Sequence, residues 1–562
     1  MASKNLLISN GSLAVNIDRN GSVCELYFPY VGMNNALSRK ALAHKIGLYT
    51  NGAIHWLDDG TWTIKASYYP GRLIGHIIAD NPWLEFRIEI QDFVDYSQNV
   101  LVRNFHIINT SKRDRKVKLY LHQAFALSQY GNDIVEYVPS GFVPQLKSPA
   151  ICHYGELGAY VVSAYRYGHL ADGWSGFTVG RFGKDERGVY LAGSWCDAAD
   201  GDLSSNAIEH GLTDSVLQFD LEIKPFASAR VCYNLAAGDN YGAAIHELAK
   251  FMHDDVAGHL RNTNDHWAEW IRPAAKALAN YKEKSSYPID TMTYINALVE
   301  LKAATDTHGA IVSDLIEYNC ANNDPTKPLP RKINDAQGVQ VLACAYAAPC
   351  YVYLGYSKEA TDLYQFLITA RSSSLYLNSA YQANASPINN RHALIYAGKL
   401  VNPMELDVAA MLILGFNLAM RQALHADGKL ATWKALYKKL IVPLADTLAD
   451  LVDHEAKRVK PSYRSIGRAN DCSASAEVDA IVQRALYALA DLAEEIAKDD
   501  AGAIRYRMAA DDIMTNSEVD QTGRSSFTRA LERLQSQLGH SPIATLSNFL
   551  GIKVEEIDEI RS

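Results

Sequence analysis

From Gly11 to about Ala237 apolar and polar positions alternate, and turn residues recur at short intervals. Leu13, Val15 and Ile17 alternate ahead of the turn Asp18-Arg19-Asn20-Gly21-Ser22. Asn51-Gly52 and Asp59-Gly60 bracket a short apolar run, and Val117, Leu119 and Leu121 alternate again. Period-two alternation between Asn-Gly or Asp-Gly pairs marks strands joined by tight hairpins. A stretch this long with hardly any helical period predicts two large antiparallel sheets packed face to face. Trp56, Trp62, Trp83, Trp174 and Trp195 are expected in its core.

Beyond Asp239 the period changes. Ile245, Leu248 and Met252 fall at helical spacing, and Pro273 interrupts a second helical run. Residues 240–287 are read as a helical linker. From 288 to 562 helices follow one another, at 289–306, 335–354, 357–371, 404–424, 429–453, 474–498, 500–515 and 523–539, with a short pair near the end. The run from Val408 to Met420 is apolar on every side, whereas Val482, Leu486, Leu489 and Ala493 form a single stripe. Inner helices buried all round, alternating with amphipathic outer ones, predict a double-layered helical toroid. The links 307–334 and 372–403 exceed ordinary helix connections and are the places to look for a site. The domains are therefore 1–239 (β), 240–287 (linker) and 288–562 (toroid-like).

Composition narrows the partners. The 562 residues, 48% hydrophobic and 21% charged, suffice for several cores. A net charge of -9 and a pI near 6.0 provide no basic surface for nucleic acid or anionic lipid. The N-terminal residues lack the apolar core of a signal peptide, and no later run is read as long enough to cross a bilayer, so a cytoplasmic protein without a membrane partner is expected. Eight scattered cysteines form no CxxC pair and are read as buried side chains rather than zinc ligands or disulfides. His253, Asp254 and Asp255 are consecutive and diverge around a helix, while His392 and His425 stand alone; no metal is expected. Nucleotide-binding and serine-hydrolase motifs are missing, so no cofactor is expected.

Four blocks of the first half, GSLAVNIDRNGSVCELYFPYVGMNN, AIHWLDDGTW, DFVDYSQNVLVRNFHIINTS and GSWCDAADGDLSSNAIEHGLTDSVLQFDLEIKP, carry a family resemblance in order and spacing. In the second half GAIVSD, INDAQGVQVLACAYAAPCYVYLGY and NPMELDVAAMLILG continue it, more weakly after Asp335. The chain resembles the bacterial and archaeal glucoamylases and glucodextranases of glycoside hydrolase family 15. The resemblance implies an N-terminal antiparallel β-supersandwich, a helical linker and an (α/α)6-toroid-like domain, here with an atypical C-terminus. It also implies an α-glucan or small glucoside as ligand.

Inverting hydrolysis needs one carboxylic acid to protonate the leaving oxygen and an opposed carboxylate to activate water. In the resemblance, Asp335 stands at the aspartate of a sugar-clamping Arg-Asp pair, but Asn334 stands at its arginine, with Arg331 the nearest guanidinium. Asp335 is equally readable as the N-cap of a helix starting at Ala336. Asp407 matches a position near the pocket. Ile466, Gly467 and Arg468 stand where Trp-Glu-Glu would be, so the general-acid position is Gly467. No carboxylate lies between Pro461 and Asn470. Glu317, Glu405 and Glu477 are the weak substitutes, and Glu477 has a ready structural role at a helix N-terminus. Nothing near the C-terminus resembles the general-base segment; Glu555, Glu556 and Glu559 read as a solvated face.

The expectation is a glucoamylase-like protein that has lost hydrolysis, a pseudoenzyme that binds carbohydrate or acts in regulation or assembly. The alternative is an active inverting exo-acting α-glucosidase with displaced carboxylates. A third reading has an incomplete ring exposing apolar helices that associate into a homo-oligomer.

Overall fold

The computed structural model describes residues 5–37, 44–128, 131–170, 173–184, 189–284, 290–312, 338–372, 376–388, 394–396, 399–426, 430–465, 475–514, 524–539 and 541–549. Its contacts divide the chain into two units, with the main cut between Trp270 and Ile271.

The alternating region folds as antiparallel sheets. One has nine strands in the spatial order Ile208–Gly211, Asp133–Val138, Ala150–Gly155, Gly158–Arg166, Ser228–Gly238, Val100–Asn109, Phe86–Val94, Ile74–Asn81 and Thr63–Tyr68. A six-stranded sheet is centred on Arg115–Ala124, and a three-stranded sheet begins the chain. Alternate residues such as Ile88, Ile90, Phe105 and Ile107 are fully or almost fully buried, while Arg87 is exposed and Glu89 and His106 are half-buried, as one core face and one polar face require. Across this sheet Arg103 forks onto Asp92 at 2.9 and 3.0 Å and also donates to the Gly21 carbonyl at 2.7 Å, with both charged side chains buried.

Helix α1 (Tyr241–Phe251) is N-capped by the Asn240 side chain, which accepts the Ala243 N–H, and it packs on Ser228–Gly238 and Gly158–Arg166. In α2 (Val256–Trp270) the His259 ring bridges Asp95 at 2.8 Å and the Phe251 carbonyl at 3.0 Å. Both helices thus belong with the sheets, and α3 (Arg272–Lys284) opens the second unit. Trp83, expected in the core, is 92% exposed: it sits in the turn after Asn81, whose side chain accepts its N–H, and among the described residues no element covers its ring. Among the described cysteines, Cys152, Cys232, Cys344 and Cys350 are buried as expected, but Cys196 is exposed on a short 3-10 turn.

The second unit continues with α4 (Thr291–Ala303), α5 (Val341–Tyr353), α6 (Ser357–Ser372), α7 (Leu406–Ala426), α8 (Leu430–Leu436), α9 (Val442–Asp450), α10 (Ala476–Leu492), α11 (Asp500–Asp511), α12 (Ser526–Ser536) and α13 (Pro542–Phe549). Helix α7 packs on α5, α10 on α7, α12 on α10, and α13 on α5, so the C-terminal segment returns to the first of the series. Helices α6, α9 and α11 lie outside these, α6 on α5 and α11 on α10 and α9. Helices α5 and α7 meet at a bare carbonyl facing a glycine. Pro349 has no N–H to give to the Ala345 carbonyl. Gly415 of α7 sits against that carbonyl, where any Cβ would overlap it.

Two expectations are corrected here. The helix expected from 335 starts at Val341, because Gly338 has φ 143° and Val339–Gln340 pairs as a strand with Ala380–Tyr381. A Cβ at 338 would collide with the Ile388 side chain, so the extended turn demands glycine. The helical cap position is therefore Gln340, and Ala336 lies outside the described residues. Second, Leu406–Leu424 is long and apolar enough to cross a bilayer, contrary to the reading of the sequence. Of that stretch 83% is buried against neighbouring helices, which accounts for its apolarity.

Candidate functional site

Strand Lys399–Glu405 leads directly into α7, and it pairs in parallel with the short strand Ser462–Tyr463, so Glu405 comes beside Tyr463. Three carboxylates singled out in the sequence, Glu405, Asp407 and Glu477, are described, and all are buried. Arg331, Asn334, Asp335, Glu317 and Gly467 lie outside the described residues.

Asp407 stands in the first turn of α7. One oxygen accepts the N–H of Val408 at 3.0 Å; the other accepts the N–H and the hydroxyl of Ser465 at 2.8 and 2.9 Å. An acid at a helix N-terminus is favoured by the helix dipole, and here it also ties down the residue that precedes segment 466–474. The Gln537 side chain adds a bond to the Ser465 carbonyl at 3.2 Å.

Glu477 occupies the first turn of α10, as its sequence position suggests, but its carboxylate turns to α12. Arg533 donates to one oxygen at 2.7 Å, and the Arg529 guanidinium lies 3.5 Å from the other. Two residues on, Asp479 accepts the Val459 N–H and the Arg458 guanidinium, each at 2.9 Å. Burial pushes the Asp479 pKa above the usual carboxylate range, against the pull of that amide and guanidinium.

The arrangement is a set of clasps: Asp407 to Ser465, Glu477 to Arg529 and Arg533, Asp479 to Arg458. Each fastens the first turn of a helix to another segment. Glu405 differs in lying on a strand, and it is 6% exposed. The arginines were not singled out from the sequence. Their only local signal is the i, i+4 spacing of Arg529 and Arg533, which puts two cations on one face of α12. Among the described residues no group of three or more His, Cys, Asp or Glu side chains is placed to hold a metal ion.

No family model and no curated protein matches the sequence. Solved structures do. A bacterial glucoamylase complexed with acarbose superposes with a TM-score of 0.65 at 17% identity, over 91% of this chain and 66% of that chain. A human-microbiome protein described as a kojibiose phosphorylase superposes with a TM-score of 0.50 at 11% identity, over 91% of this chain and 67% of that one. At such identities the likeness is one of fold: an antiparallel β-sandwich unit followed by a helical unit, as in glucoamylase. The chain spans just under two thirds of the glucoamylase chain.

Proposed function

We propose that this protein is a carbohydrate-binding relative of the glucoamylase fold that does not hydrolyse glucosides. Its ligand is the end of an α-glucan or a small α-glucoside, held by the helical unit. The carrying observation is the engagement of Glu477, whose two oxygens face the guanidinium groups of Arg529 and Arg533. A carboxylate committed in this way braces α10 against α12 and is not free to reach a glycosidic oxygen. Asp407 is committed likewise to Ser465, and the sequence from Pro461 to Asn470 contains no other acid. Without an acid to protonate the leaving oxygen, substrate positioning remains and bond cleavage does not.

A second reading has one observation in its favour. Glu405 is buried beside Tyr463, three residues before the segment that contains Gly467, and it is the residue through which an inverting α-glucosidase with displaced carboxylates would act. Calorimetric titration of the full chain with maltose and with acarbose tests the binding half of the proposal. Heat of binding from either saccharide, with free maltose recovered intact, supports it. Absence of binding to both would overturn it.

A further inference from the structure

The nine-stranded sheet carries a concavity on its outer face, wholly within the sandwich unit. Strand register puts His76, Gln91 and Asn104 side by side across three strands. One step along, Glu89, His106 and Arg230 stand side by side. Cross-strand partners share a face, as do residues two apart along a strand, so the six polar side chains form one array. The residues between them point the other way and are buried between the sheets, among them Ile90, Phe105 and Val231.

Helix α2 overhangs this array with Val256, Ala257 and Leu260, and Tyr69 and Tyr167 complete the rim of a pocket of ≈ 330 Å³. That volume suits a small ligand. The Tyr69 ring stacks on His76 at 5.1 Å and 23°, leaving a flat aromatic edge to the site.

The polar groups here are under-used. His106 is the anchored one, with Nε2 2.6 Å from the Ser228 hydroxyl and Nδ1 3.7 Å from Glu89. Asn104 Oδ1 is buried without a partner, and among the described residues no hydrogen bond or ion pair engages the side chains of Gln91 or Arg230. A buried acceptor left unmatched is costly, and native proteins rarely keep one unless water or a ligand meets it.

We infer that this pocket binds a neutral, monosaccharide-sized polyol, such as the terminal pyranose of a saccharide. A hydroxyl both donates and accepts. Each carboxamide of Gln91 and Asn104 offers one acceptor and a two-hydrogen donor, Arg230 adds a fork of donors, and Glu89 accepts. The tyrosine rings supply flat faces for the C–H surface of a sugar ring. An anion fits less well, because it would meet the acceptors Asn104 Oδ1 and Glu89 as well as the donors. The inference is independent of the helical unit and requires no catalytic carboxylate.

Hydrogen–deuterium exchange of the full chain with maltose as probe tests it, with inorganic phosphate and D-glucuronate as parallel arms. The expected result is slower exchange in peptides covering 86–109 and 256–262 with maltose. Asn104→Leu and Arg230→Met should each raise the maltose concentration needed by about tenfold, the loss of one well-made hydrogen-bonding partner. Arg230 is exposed, so its variant keeps the test valid even if Asn104→Leu disturbs folding. Protection by phosphate or glucuronate but not by maltose would overturn the inference, as would protection indifferent to Arg230→Met. Protection confined to peptides from 399–405 and 458–465 would overturn it too, while supporting saccharide binding by the helical unit.

Discussion

The two units bury polarity in opposite ways. In the sandwich, charged and polar side chains lie deep between strands. Arg103 forks onto Asp92, His259 bridges Asp95 and the Phe251 carbonyl, and His122 lies 3.1 Å from Asp214. In the helical unit the buried faces of α5 and α7 are almost wholly apolar, and three of the buried carboxylates, Asp407, Glu477 and Asp479, stand instead in the first turns of α7 and α10. The strands Lys399–Glu405 and Ser462–Tyr463, which precede those two helices in the chain, pair in parallel. In the sandwich, Arg103 and Asp92 are direct cross-strand partners, so their pairing matches the strand register. In the helical unit, acids at the helix starts fasten neighbouring parts of the chain: Asp407 holds Ser465, Glu477 holds α12 and Asp479 holds Arg458.

The sharpest way to break this comparison is Arg103→Met, which leaves Asp92 buried and unpaired. A loss of about 3–5 kcal/mol is expected, read as a lower urea midpoint of the sandwich transition. A near-neutral result would show that the buried pair does not brace the sheet. Next is Gly415→Ala. Its Cβ meets the Ala345 carbonyl, so overpacking should cost about 1–3 kcal/mol in the helical unit; a neutral effect would mean α5 and α7 are not in close contact.

The histidines sharpen the comparison through pH. Burial, and secondarily the neighbouring His122, lowers the His153 pKa from 6.5 to about 3. The unfolded chain therefore binds the proton first as pH falls below 6.5, and the stability that neutral His153 contributes at pH 7 drains away toward pH 3. Comparing wild type with His153→Leu cancels the other groups. The wild type should lose about 2–3 kcal/mol relative to the variant between pH 7 and pH 4 in urea titrations, and a parallel pair of curves would refute the burial argument.

Smaller effects follow from exposure. Arg533 is 58% exposed, so Glu477→Gln should cost less than about 1 kcal/mol, and less still in high salt. A double-mutant cycle with Arg533→Met measures the coupling. Trp83→Ala should shift stability by no more than about 0.5 kcal/mol, because its ring packs against nothing that depends on it.

Much of this was legible in the sequence, for physical reasons. Alternation in Phe86–Val94 and Val100–Asn109 is clear because one face is solvated, and the stripe from Val482 to Leu489 announces α10. What escaped was non-local. Nothing near Gly338 signals that Tyr381, forty-odd residues on, will hold it in an extended turn and delay the helix to Val341. Trp83 is an exception of local origin: its side-chain type suits a core, but the turn at Asn81 carries it into solvent. The partners of Glu477 lie fifty residues downstream on α12, so the sequence shows an acid at a helix start and not the two guanidinium groups that occupy it.

The central claim, that the acids of the helical unit serve structure and supply no proton for cleavage, is most directly tested by a proton NMR time course of the full chain with maltose. The account predicts that no glucose signal grows over the background rate. Growth of the β-glucose anomeric signal, abolished by Glu405→Gln, would contradict it.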